Sequence, residues 1–363
     1  MAKRADLKKK NSGRLKKAVS RRTDNLSSHD WVRLSNEQLL DMRICDLNLS
    51  MEGTVVESCL HQLHKELKTR GLRLKPHGWL SDEWFSPDGV PGIAVPFYMA
   101  HPRLKRLERN QMLEVEGGTR AWCMRILRHE AGHAIDTAFR LHRRKKYREN
   151  FGNPSTPYPE SYKPKPHSKS YVNHLDSWYA QSHPSEDFAE TFAVWIKPRS
   201  NWRRDYAGWK ALRKIEYVDQ LMGELKSQAP KVKSRAKVDP VSRMKQTLRE
   251  HYAERLARYD VNWYESLELD LKKLFPKTKK TARNKPAAGF LRKNRGELSR
   301  LVADWTGQYH YNIDQVLREM ISRSAELKLY VNGSQARTLQ NAVAMLTVHA
   351  MRNLDGGQDR VAL

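Results

Sequence analysis

An α+β fold is predicted, mostly helical with one small sheet, followed by a helical C-terminal module. Three observations predict it. Apolar residues recur at helical spacing over residues 50–68, 119–141 and 182–197. A turn-rich stretch with strand-like segments lies between them at 72–98. Beyond residue 240 the pattern is helical to the end of the chain.

The elements follow in order. Residues 1–30 are polar and basic and read as a flexible arm. From Trp31 the composition is globular. Ser50 can cap a helix running to about Lys68, with Val55, Val56, Cys59, Leu60, Leu63 and Leu67 as its apolar stripe and Gly71 as its end. In residues 72–98, Leu72 and Leu74 alternate with basic residues, and turns at Pro76-His77-Gly78 and Ser86-Pro87-Asp88-Gly89 precede the apolar run from Gly92 to Tyr98. This is the expected sheet. Pro96 places its last segment at an edge, where an extended peptide can add as a strand. Thr119 can cap a long helix to about Leu141, with Trp122, Ile126, Leu127 and Ala134 on its apolar side.

Residues 150–170 read as loop, because Pro154, Pro157, Pro159, Pro164 and Pro166 interrupt them. The next helix spans Ser182 to Lys197. Pro184 fits its first turn, Glu186 and Asp187 suit the positive end of its dipole, and Pro198 stops it. Residues 226–240 look like a linker, which divides the chain into an arm (1–30), a domain (31–225), the linker and a basic helical module (241–363). A second break falls at Pro276 to Pro286, inside a run of cations. Helical periodicity resumes at Val316, Leu317, Met320 and Ile321, and across Val343, Leu346 and Met351.

Composition bounds the function. The chain has 363 residues, 39% of them hydrophobic, with ten Trp, enough to fold. A net charge of +26 favours acidic partners: nucleic acid, an anionic membrane surface or acidic polypeptides. Cys45, Cys59 and Cys123 are too few and too scattered for a disulfide framework or a thiolate metal site, and they fit a reducing cytosol. The first residues lack the apolar run of a secretory signal, and no stretch is long and apolar enough to span a membrane. A cytoplasmic enzyme is the default expectation.

His129 and His133 stand four apart, so on a helix both imidazoles lie on one face, about 40° apart around the axis. Two such nitrogens can grip one zinc ion, with Glu130 beside them to take a proton from a water that the metal activates. Gly132 lets a neighbouring element come close. A third ligand is needed. The one-helix solution places a histidine ten residues after His129, and that position is Phe139. The other source is the helix at 182–197, where Glu186 and Glu190 are one turn apart while Phe188, Phe192 and Trp195 fill the core. One carboxylate can ligate the metal and the other can accept the second N–H of a ligating histidine. The bland alternatives are an exposed histidine pair and an exposed acidic face. Asp187 could serve as ligand only on a rotated helix, since it lies about 100° from Glu186. His174 and His183 are near in sequence, and both are candidate substrate contacts. His183 could ligate or contact substrate, although a local structural role suits it better.

His-Glu-Ala-Gly-His at 129–133 followed by His183-Pro-Ser-Glu-Asp-Phe-Ala-Glu190 resembles the Glu-zincin clan. It is most similar to the bacterial putative zinc-binding metallopeptidase family, over nearly the whole chain, and more distantly to the catalytic domain of anthrax lethal factor. The resemblance implies a zincin-like domain with the sheet above two active-site helices. It implies zinc held by His129, His133 and Glu186, with Glu190 supporting from behind, and hydrolysis of peptide or protein substrates with Glu130 as general base. Lethal factor also has a tyrosine seven residues before its ligand glutamate. Tyr179 stands at that spacing and could donate to a developing oxyanion, or simply pack between Trp178 and Ala180. Two other classes stay open. One is a basic nucleic-acid-binding protein with structural zinc or none. The other is a scaffold on an inactive zincin fold, against which the retained Glu130 argues.

Overall fold

A computed structural model describes residues 30–112, 114–159, 161–162, 164–165, 168–257, 264–277, 285–355 and 361–362. The expected arm, apart from Asp30, and residues 278–284 of the basic run at 272–285 lie outside these residues. In chain order the helices are α1 (Asn36–Leu40), α2 (Val55–Thr69), α3 (Pro102–Met112), α4 (Arg120–Phe139), α5 (Lys145–Phe151), α6 (Pro184–Ile196), α7 (Trp202–Asp205), α8 (Ala211–Glu224), α9 (Leu248–Ala257), α10 (Tyr264–Leu274), α11 (Ala287–Lys293), α12 (Arg295–Thr306), α13 (His310–Glu326) and α14 (Gln335–Asp355). The strands are β1 (His77–Ser81), β2 (Gly92–Pro96), β3 (Ser161–Tyr162) and β4 (Val361–Ala362). No helix among the described residues is long and apolar enough to cross a membrane.

Most helix ends obey local chemistry. Thr119 caps α4 by accepting from Trp122 N, as its sequence position predicts. The cap of α2 is Thr54, which accepts from Glu57 N; Ser50, the expected cap, instead accepts from Glu52 N in the preceding turn. Gly71 then leaves α2 at a φ of +79°, which glycine adopts without a Cβ clash.

The small sheet is β1 and β2, parallel, with His77 opposite Gly92 and Ser81 opposite Pro96. The open edge expected at Pro96 is not found. Every residue of β2 is buried, and on its other side Ala94 N donates to Phe85 O. The Phe85 turn therefore takes the edge that an added peptide would need.

The region expected as a linker also differs. Residues 228–248 lie against the first half of the chain. His77 Nε2, Trp79 Nε1 and Ser81 Oγ, at alternate positions of β1, donate to the carbonyls of Ala236, Val238 and Asp239. Lys231 N and Val232 N donate to Ala138 O at the end of α4. Leu248 and Tyr252 of α9 are buried in the same core as Trp31, Leu63 and Phe188. A second apolar core begins at Leu267 and runs to Ala350, built by α10 to α14 around Leu291, Val302, Leu317, Met320 and Leu346. The two cores thus part between Tyr252 and Leu267.

Helices α4 and α6 form the centre of the first core. Glu186 and Glu190 share the face of α6 turned to α4, while Phe188 and Phe192, two positions on, point away by about 200°. Phe188 packs against Tyr147 and Phe151 of α5. Each fully buried phenylalanine contributes roughly 1.5–3 kcal/mol of transfer free energy. On the other side of α4, Arg128 forms a buried two-pronged pair with Glu66 of α2, both contacts 2.8 Å.

A candidate metal centre between two crossing helices

The crossing of α4 and α6 is set by one glycine. A Cβ built on Gly132 would meet Ala189 Cα at 2.6 Å and Ala189 O at 3.0 Å. Both are backbone atoms, so the helices touch there and leave no room for a methyl group. Gly132 lies one residue before His133, and Ala189 between Glu186 and Glu190. Close approach at this point brings the two histidines and the two glutamates together.

Three atoms converge. His129 Nε2 is 3.0 Å from Glu186 Oε2, His133 Nε2 is 3.1 Å from the same oxygen, and the two nitrogens are 3.1 Å apart. This His129–His133–Glu186 group has the donor types and spacing to hold a metal ion. Tetrahedral ligands held about 2.0–2.1 Å from zinc lie about 3.3–3.4 Å from one another, so the three atoms need separate by only a few tenths of an ångström. The donor set therefore fits zinc.

One ligand is supported from behind. His129 Nδ1 lies 2.8 Å from Glu190 Oε1, and Glu190 Oε2 accepts from Leu175 N at 2.8 Å. With Nδ1–H donated to Glu190, loss of the Nε2 proton would turn that nitrogen's lone pair to the other two atoms. Burial disfavours charge on His129, yet carboxylates on both of its nitrogens raise its pKa well above the usual histidine range. Burial likewise opposes ionised Glu186, but His133 and His129 hold its carboxyl well below the usual range.

Glu130 is 6% exposed, and its Oε2 has no hydrogen-bond partner. Burial, and the nearby Glu186, raise its pKa, while His129 and His133 pull it down. Next to it in the field of charges stands Glu116, which burial pushes to about 7. Arg255 of α9 counters that rise and also binds Glu108 at 2.8 Å.

Other expected residues are placed as follows. The Tyr179 ring is tilted against that of His129, centroids 5.6 Å apart. Asp187 points away from the cluster to Lys214 Nζ at 2.5 Å, which removes it as a ligand. His183 does not reach the cluster either. Its Nδ1 accepts from Ser185 N and its Nε2 donates to Thr156 O at 2.8 Å, so both nitrogens are used and it serves as the N-cap of α6. His174 Nε2 bonds the carbonyl of Arg125 at 3.0 Å, pinning its loop to α4 and leaving that nitrogen unavailable to substrate.

Sequence reasoning missed Tyr158. Its hydroxyl donates to Glu186 Oε1 at 2.7 Å, and its ring stacks on His183 with centroids 3.8 Å apart. The signal present was an aromatic residue between two prolines, Pro157 and Pro159, in a loop close in sequence to the ligand helix.

Residues 103–219 match the model of a family described as putative zinc-binding metallo-peptidases. That span holds α4, α6 and the loop carrying Tyr158. The metallo-peptidase match thus covers less than half of the chain, leaving out β1, β2 and the second core, where the resemblance was expected to extend over nearly all of it. No curated protein and no solved structure matches the chain. The likeness to lethal factor consequently rests on motif spacing alone.

Proposed function

We propose that the protein is a zinc metallopeptidase of the Glu-zincin type, with a zincin-like catalytic domain. The observation that carries this reading is the convergence of His129 Nε2, His133 Nε2 and Glu186 Oε2 beside the unpartnered carboxylate oxygen of Glu130. Such an arrangement, backed by Glu190, holds more buried polar atoms than a purely structural crossing requires. Zinc bound there would polarise the scissile carbonyl and lower the pKa of a water towards about 7.

The chain's own residues do the rest. His129, His133 and Glu186 hold the metal, and Glu190 keeps His129 in the ligating tautomer. Glu130 takes a proton from the attacking water and delivers it to the leaving amine. Its buried position suits that work, because a carboxylate raised above its usual pKa is a better base. Tyr179, on the loop before α6, donates to the carbonyl oxygen as negative charge develops there. The positive charge of the chain favours acidic polypeptides among its substrates.

The test is hydrolysis of a mixture of unfolded proteins, read by sequencing the new peptide ends. New ends should form with the unchanged protein and vanish with a chelator. Glu130→Gln should lower turnover on the order of 10²–10⁴-fold while keeping its metal, since an amide of equal size cannot act as the base. Undiminished turnover in Glu130→Gln would overturn this mechanism.

A further inference from the structure

Glu186 uses its two oxygens differently. Oε2 faces His129 and His133, whereas Oε1 accepts the hydroxyl of Tyr158 at 2.7 Å. We propose that Tyr158 is a positioning residue for the metal centre, which holds Glu186 so that it presents one oxygen to the ion. This rests on the metal-site reading above and adds a residue, outside both motif helices, on which that site depends.

The local sequence is built to aim a phenol. Tyr158 lies between Pro157 and Pro159, which fix their own φ and push Thr156 and Tyr158 towards extended conformations. Just before it, Asn153 closes a turn: its side chain accepts from Ser155 N and its carbonyl from Thr156 N. The loop is then tied to the approach of α6. Thr156 O takes the N–H of His183, and further along Lys165 exchanges two bonds with the Gln181 side chain. His183, the cap of α6, also carries the Tyr158 ring on its face. The cap of the ligand helix and the orientation of its ligand are thereby coupled through one histidine.

Packing does not account for this tyrosine. Tyr158 is 51% exposed, and residues 155 to 159 are all exposed. A ring recruited to fill the core would be covered. Here a half-exposed ring, stacked on His183, sends its hydroxyl inward to a carboxylate that is 3% exposed. Without that donor the carboxylate is held only through Oε2, by the two imidazoles that would themselves engage the metal, so its orientation is left to the metal centre alone.

The experiment is a competition titration of zinc against a chromophoric chelator, with the absorption spectrum of the cobalt-substituted protein as a second readout. Tyr158→Phe keeps the ring and its stacking and removes only the donor. Its zinc affinity should fall on the order of 10–100-fold, the usual loss when a group that orients a ligand is removed, and the cobalt spectrum should change. Thermal unfolding of the metal-free protein should shift by only the few degrees that one lost hydrogen bond accounts for. Tyr158→Ala should lose no more affinity than Tyr158→Phe by more than a few-fold. Zinc affinity within twofold of the original in Tyr158→Phe overturns the proposal, as does a loss seen only in Tyr158→Ala, which would assign the effect to the ring. Failure of hydrolysis with these affinities intact would instead count against the peptidase reading alone. An unchanged protein that takes up no metal would overturn both.

Discussion

Asp314 in the second core and Glu186 in the first are both buried carboxylates, 2% and 3% exposed, and their partners differ in kind. Asp314 is held by two guanidinium groups, those of Arg295 and Arg318. Guanidinium stays charged at any ordinary pH and offers no lone pair, so this trio is a closed structural unit. Glu186 is held by two imidazoles and a phenol. Imidazole can release its proton and present a lone pair, so the same burial here leaves three atoms able to take a cation in place of protons. Polar burial marks structure where each group is answered by a fixed partner. It marks a site where exchangeable groups converge.

The sharpest way to break this comparison is to cut the chain between the cores. A chain ending after Leu225 loses Leu248, Tyr252 and the three carbonyls that take His77, Trp79 and Ser81. Buried side chains of that size are each worth roughly 1.5–3 kcal/mol and each hydrogen bond about 0.5–1.5. The sum is comparable to a whole domain's stability of about 5–15 kcal/mol. That chain should lack a cooperative thermal transition, whereas one ending after Ala257 should melt cooperatively and still bind metal. A stable, metal-binding chain ending at Leu225 would show that the wrapped segment is an appendage.

A smaller effect is expected at the helix crossing. Gly132→Ala puts a methyl group against the Ala189 backbone, and overpacking of this kind costs about 1–3 kcal/mol. Because the crossing also sets the spacing of His133 and Glu186, metal affinity should fall with stability. The same change at exposed Gly296 of α12, where a Cβ meets nothing within 4 Å, should leave metal affinity unaltered and stability equal or slightly higher. Calorimetry with and without zinc measures the pair, and equal behaviour of the two variants would remove the crossing from the account of the site.

Much of the centre is legible in the chain. A spacing of four is a statement about a helix face, so residue order alone pairs His129 with His133 and Glu186 with Glu190, and marks Gly132 as a contact point. Three features are hidden for physical reasons. The segment at 228–240 is fixed through its own backbone carbonyls, which every sequence possesses, so its Lys- and Pro-rich composition resembles a free linker. His183 caps α6 with a ring nitrogen, a role that sequence patterns assign to Ser, Thr, Asp or Asn. Tyr158 meets Glu186 across 28 residues, where no periodicity links them.

The central claim is that one metal is held by His129, His133 and Glu186. Elemental analysis of protein purified without added metal tests it most directly. The expected result is close to one zinc per chain in the unchanged protein and in Glu130→Gln, and close to none in His133→Ala or Glu186→Ala. Stoichiometric zinc retained by His133→Ala, with its fold intact, would contradict it.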